Sequence, residues 1–190
     1  MPRKPRHDYK KYLKRHKFPY SWEKACIEQL GISPQFFHKV HNEKWKNVYY
    51  QITEKFVDKT RTWKNGLHWA NTNGYSPKCN FLGAYNTHME KWFLHLPEII
   101  GSAESEVYFL LEGDGLHEQT KFWIFEARVQ ELMQVLDLCY ETVFLDVGLG
   151  WPDYYIVSKK YEWLMGYNHH DIVSFVGEGL CLDCFEKGTI

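Results

Sequence analysis

Three apolar runs stand back to back in the last third of the chain: DYYIVSKKY from position 153, EWLMGYN from 162 and DIVSFVG from 171. Each is rich in Tyr, Trp, Ile, Val and Phe, side chains that pack well on a pleated surface. The links between them are far shorter than the crossover of about a dozen residues that parallel neighbours need, so these strands must pair antiparallel. KWFLHLPEI (91–99), EVYFLLE (106–112) and KFWIFE (121–126) form a second group, separated by GSAES and by GDGLHEQT with its Gly-Asp-Gly turn chemistry. Together the two groups predict a sheet of about six strands.

Between them lies EARVQELMQVLDLCY (126–140). Val129, Leu132, Met133, Leu136 and Cys139 recur at helical period, with Arg128, Gln130, Glu131, Gln134 and Asp137 mostly opposite, which predicts an amphipathic helix packed on the sheet. Upstream, Ser21 can cap a short helix that stops at Gly31, since glycine accepts the left-handed conformation past a helix end. Ser33-Pro34 reads as a second helix start, and Phe37, Val40, Val48, Tyr49, Ile52 and Phe56 fall near one stripe, predicting a long helix to about Asp58. Residues 60–79, rich in Asn, Gly, Thr and aromatics without a period, read as a loop. Two helices, a loop, three strands, a helix and three strands predict an α+β fold, with an antiparallel sheet covered by helices.

A chain of 190 residues suits one such domain, placed at 21–190. Residues 1–20 read as a flexible basic arm. The net charge of −1 conceals a division: residues 1–64 hold 16 Lys/Arg against 6 Asp/Glu, and residues 65–190 hold 7 against 18. Such a split suits complementarity within or between chains, or a charged face turned to a partner of opposite sign. The start of the chain is basic with no apolar stretch behind it, and no apolar run approaches the roughly 20 residues of a membrane-spanning helix. Five Cys at 26, 79, 139, 181 and 184 form no even framework. The expected setting is therefore the cytoplasm, with reduced thiols and no membrane contact.

Asn168-His169-His170-Asp171 is the densest polar cluster, between two predicted strands. Imidazole and carboxylate suit a divalent metal or acid–base work, but neighbours along a strand point to opposite faces unless a turn intervenes. The preferred reading is a hydrogen-bonded turn, with no metal, no cofactor and no catalytic residue. Cys181-Leu-Asp-Cys184 lacks the second ligand pair of a structural zinc site and the βαβ context of a redox motif. Asp146-Val-Gly-Leu-Gly leads into a strand, unlike a dinucleotide fingerprint. No P-loop, G-x-S-x-G or H-E-x-x-H occurs.

The tract from Asp153 to Asp171, with YIVSKKYEWL running into NHHD and then an apolar strand ending in Gly177-Glu178, resembles the C-terminal signature of a family of small uncharacterised bacterial proteins. VYFLLEG and KFWIFEARVQELMQVL resemble the same family's preceding strand, strand and helix, so the resemblance spans Glu106 to Glu178. In size and α+β build that group resembles the SUKH-type immunity proteins, which neutralise secreted bacterial toxins by binding them. The resemblance implies a cytoplasmic protein-binding module, an immunity partner in a toxin–antitoxin pair.

On this reading Trp151, Trp163, Tyr167, Asn168, His169 and Asp171 would form the partner-binding surface, because aromatics beside a polar tip have the composition of an interface hot spot. A first alternative is a small enzyme or metal-binding protein at His169, His170 and Asp171, with Asp146. A second is a nucleic-acid-associated protein that tracks phosphates with Lys10, Lys11, Lys14 and Arg15, although the acidic remainder of the chain opposes it.

Overall fold

The computed structural model describes residues 27–57, 67, 80–87, 91–101, 104–112, 122–140 and 153–186. Seven strands make one sheet: β1 Phe37–Lys39, β2 Phe81–Asn86, β3 Glu106–Glu112, β4 Phe122–Arg128, β5 Tyr154–Ser158, β6 Trp163–Asn168 and β7 Ile172–Gly177. Their spatial order is β1-β4-β3-β5-β6-β7-β2, and every neighbouring pair is antiparallel. The predicted α+β class and antiparallel sheet stand, with β5, β6 and β7 as the expected meander.

Helices cover both faces. On one, α1 (Asn42–Phe56) sets Val48, Ile52 and Phe56 against Leu110, Ile124, Tyr155, Leu164 and Val176. On the other, a 3-10 turn (Trp92–His95), α2 (Leu96–Ile100), α3 (Val129–Cys139) and α4 (Asp183–Glu186) bury Trp92, Leu96, Leu132, Leu136 and Phe185 against Phe109, Phe125, Ile156, Met165 and Phe175. The buried face of α3 follows the expected stripe, except that Val135 lies in the core while Met133 is partly exposed.

Three expectations need correction. Residues 33–41 do not begin a long helix. Phe36 N donates to Ser33 O at 2.8 Å in a turn, and Phe37 then pairs with Ala127 as part of β1, its ring stacked on Phe125 at 5.2 Å. The helix starts only at Asn42, after His41, whose ring accepts from Glu43 N. KWFLHLPEI is helical, not a strand. Trp92, Phe93, Leu96, Ile99 and Ile100 are buried at spacings of one face of a helix, Leu94 is exposed, and Pro97 sits in the first turn of α2, where its missing N–H costs nothing. Finally, β2 forms in a stretch for which the sequence predicts no strand, and lies at the sheet edge beside β7. The predicted stop at Gly31 is present: residues 27–30 are helical and Gly31 has φ 64°. The basic arm and the loop at 60–79 lie outside the described residues, Leu67 excepted.

Candidate functional site

Antiparallel register places residues 168–171 at the end of the sheet where β5 begins. β6 and β7 are joined by His169-His170-Asp171, and Asp171 takes φ 59°, a left-handed position that Asp tolerates better than most residues. Asn168 is 5% exposed, and its Oδ1 accepts from His170 N at 2.9 Å and Ile172 N at 3.4 Å. Asp171 N donates to Asn168 O at 3.1 Å, and Asp171 O accepts from both Thr87 N and Thr87 Oγ1 beside β2. The Tyr167 hydroxyl donates to Asp171 Oδ1 at 2.5 Å. Asp153, 6% exposed, accepts at Oδ1 from His169 N at 2.9 Å and faces His169 Nδ1 at 2.8 Å. The cluster is thus a turn held by its own hydrogen bonds and pinned to β5 and β2.

The turn also breaks strand alternation, so the His169 and His170 rings lie side by side with centroids 4.1 Å apart. With Asp153 ionised it can only accept, so Nδ1 of a neutral His169 carries the proton and Nε2 keeps its lone pair. The His169 side chain is 52% exposed, so an oriented base meets solvent here. Among the described residues, no group of three or more His, Cys, Asp and Glu is placed to hold a metal.

The exposed aromatic surface expected beside this tip is not there. Trp163 and Tyr167 are each 4% exposed and belong to the core, Tyr167 stacking on Tyr154 at 5.0 Å and on Trp92 at 6.4 Å. The reason is the double helix layer, which buries both faces of β6. Burial first, and then the Asp171 hydrogen bond, push the Tyr167 phenol far above its ordinary value. Of the expected binding set, His169 lies at the surface, Asp171 partly so, and Asn168 within. Trp151, Asp146, Lys10, Lys11, Lys14 and Arg15 lie outside the described residues. Cys181 is exposed and Cys184 buried, both as free thiols, and burial raises the Cys184 thiol rather than activating it.

A feature that the sequence did not disclose lies at the opposite end of the sheet. Gly101 closes α2 with φ 69°, Glu104 and Ser105 lead into β3, and Ser105 O accepts the first amide of α3, Val129 N, at 3.0 Å. Glu106 pairs with Arg128 across β3 and β4. These connections enclose a groove of about 440 Å³ with Pro97, Ile100 and Val129 among its lining. Glu104, Glu106 and Glu131 also line it, against a single guanidinium, that of Arg128, which rests on the Phe36 ring at 3.7 Å. Glu104 Oε1 accepts from Lys159 N at 2.6 Å, whereas Glu131 Oε2 is buried without a hydrogen-bond partner among the described residues. Beside Glu104, Lys159 Nζ pairs with Glu126 at 2.7 Å and lies over the Tyr108 ring, on which Tyr161 stacks.

Fold and site together define a three-layer α+β protein with a groove lined by three carboxylates at one end of its sheet and a hydrogen-bonded histidine turn at the other. Residues 21–184 match the Family of unknown function (DUF6756), and the chain belongs to that family. No curated protein and no solved structure matches it. No helix among the described residues is long and apolar enough to cross a membrane.

Proposed function

We propose that this chain is a protein-binding module that engages a basic partner through the groove at the start of α3. The observation that supports this reading is the groove itself, whose lining combines Pro97, Ile100 and Val129 with three carboxylates and one guanidinium. Apolar side chains supply burial energy, and like-signed charges supply steering and register. The balance of residues 65–190, 18 Asp/Glu against 7 Lys/Arg, has the same sign as the groove. Neutralisation of a basic bacterial toxin in the cytoplasm, as the resemblance to SUKH-type immunity proteins implies, is the specific form this binding would take.

The test is affinity capture from the native host, followed by zero-length carboxyl–amine cross-linking. Partner lysines should join Glu104, Glu106 or Glu131, and Glu106→Lys should weaken association at least about tenfold, with strong salt dependence. Cross-links confined to another face, or binding indifferent to Glu106→Lys, would remove the proposal. The second reading, acid–base chemistry at the turn, is favoured by the Asp153–His169 pair alone. Against it, the described groove lies at the far end of the sheet from that imidazole.

A further inference from the structure

The two edges of the sheet are unlike. β1 is three residues long and carries Lys39, whose ammonium lies over the Trp123 ring at 4.0 Å. Short length and a charge are what keep an edge from recruiting another strand. β2 has six residues, FLGAYN, with neither a charge nor a proline. Its irregularity, a register shift between Phe81 and Gly83, lies at its start and leaves residues 83–86 in regular pairing with β7. We propose that β2 is where two copies of this chain join, edge to edge and antiparallel, about a two-fold axis at Ala84. This surface is separate from the groove, and neither reading depends on the other.

The register shows which backbone groups face outward. Thr87 N donates to Asp171 O at 2.8 Å. Bonding alternates along an antiparallel pair, so Tyr85 and Gly83 bond inward to Val173 and Phe175, and Ala84 directs its N–H and C=O away from β7. Ala84 is exposed, and no described residue bonds to its outward amide. A strand added from outside takes up such groups. The flanking residues select a second copy as that strand. Directly opposite residues share a face, so a two-fold at Ala84 sets Gly83 against the copy's Tyr85 and Tyr85 against the copy's Gly83. The strand already keeps that space clear: a Cβ on Gly83 would lie 2.8 Å from the Tyr85 ring. Each bulky ring thus meets a position without a side chain, the central pair is alanine on alanine, and no like charges are opposed. An incoming strand needs a small residue where it meets Tyr85, and this chain's own β2 supplies one.

The experiment follows association and amide exchange of the full chain together. Sedimentation equilibrium should show the mass of two chains at roughly 0.1 mM, where a micromolar dimer is essentially complete. The Ala84 amide should exchange as an open amide in dilute protein and slow at least about tenfold as the dimer forms. Ala84→Pro removes the outward N–H and spares the inward bonds to β7, so it should raise the dimer dissociation constant at least about tenfold with unchanged far-ultraviolet dichroism. Tyr50→Ala, on the outer face of α1, should leave association unchanged. If Ala84→Pro does not fold, the concentration dependence of exchange in the unaltered chain decides. A chain that stays monomeric at that concentration, or a dimer that Ala84→Pro spares, would overturn the proposal. Protection of Ala84 independent of concentration would assign the edge to a segment of the same chain, and protection only on adding host extract would assign it to a foreign strand; either result also overturns it.

Discussion

Replacing Asp153 by Ala removes the acceptor for two donors of one residue, His169 N at 2.9 Å and His169 Nδ1 at 2.8 Å. The two arms differ in worth. The backbone amide loses a charged, nearly buried acceptor, a loss of about 1.5–3 kcal/mol. The ring belongs to a half-exposed imidazole that water can solvate instead, so its arm contributes only about 0.5 kcal/mol. Asp153→Ala should therefore cost about 2–3.5 kcal/mol, and His169→Ala, which leaves the backbone arm intact, about 0.5 kcal/mol. Equilibrium urea unfolding of both single variants and the double variant gives the two costs, and the coupling energy should match the ring arm. If Asp153→Ala lies within about 0.5 kcal/mol of the parent, or if His169→Ala costs as much as Asp153→Ala, the turn is not pinned as described.

Leu132→Ala should destabilise by about 2–5 kcal/mol, because Leu132 is fully buried between α3 and the sheet; an unchanged thermal midpoint would show that α3 packs elsewhere. Burial first, and then the Tyr108 hydrogen bond, push the Tyr161 phenol up to about 12, and burial likewise raises Tyr154, Tyr155 and Tyr167 well above their ordinary value. These phenols hold their protons more tightly folded than unfolded. Their contribution to stability is thus complete below pH 10 and is lost as pH rises from 10 through 12. Phenolate absorbance should show a subset of the 13 tyrosines ionising only as the far-ultraviolet dichroism collapses, and reversible titration of all of them near pH 10 in a folded protein would contradict this.

What could be read from the sequence followed from periodicity, and what could not followed from its limits. The α3 stripe and strands β3 to β7 each carry five or more patterned residues, so the pattern survives the noise. β1 has three residues, and Phe37 and Val40 fit a helical stripe as well as a strand. In 91–99 the aromatic content suggested a strand, while the spacing of Trp92, Phe93, Leu96 and Ile99, with Pro97 at a helix start, already favoured a helix. The hairpin turn is legible from its polar residues, whereas the hot-spot composition around it does not reveal that Trp163 and Tyr167 are buried. A usable signal existed: YYIVS and WLMGYN run apolar without alternation, the mark of a strand covered on both faces. Asp153 and the groove were beyond reach, because Glu104, Glu106 and Glu131 meet only after β3 pairs with β4 and α2 turns at Gly101.

The strand order also fixes when this protein can be finished. Phe37 pairs with Ala127, and Phe81 with Val176, so both sheet edges come from segments synthesised some 90 residues ahead of their partners. At roughly 5–20 residues per second, β2 waits on the order of 5–20 seconds at the ribosome before β7 exists. The β3–β4 hairpin and then the β5–β7 meander have local partners, whereas β1 must wait for β4 and β2 must wait for β7, the last strand made. Any helper that acts on the nascent chain should therefore release the stretch that includes β1 once β4 is made, and the stretch that includes β2 only after β7.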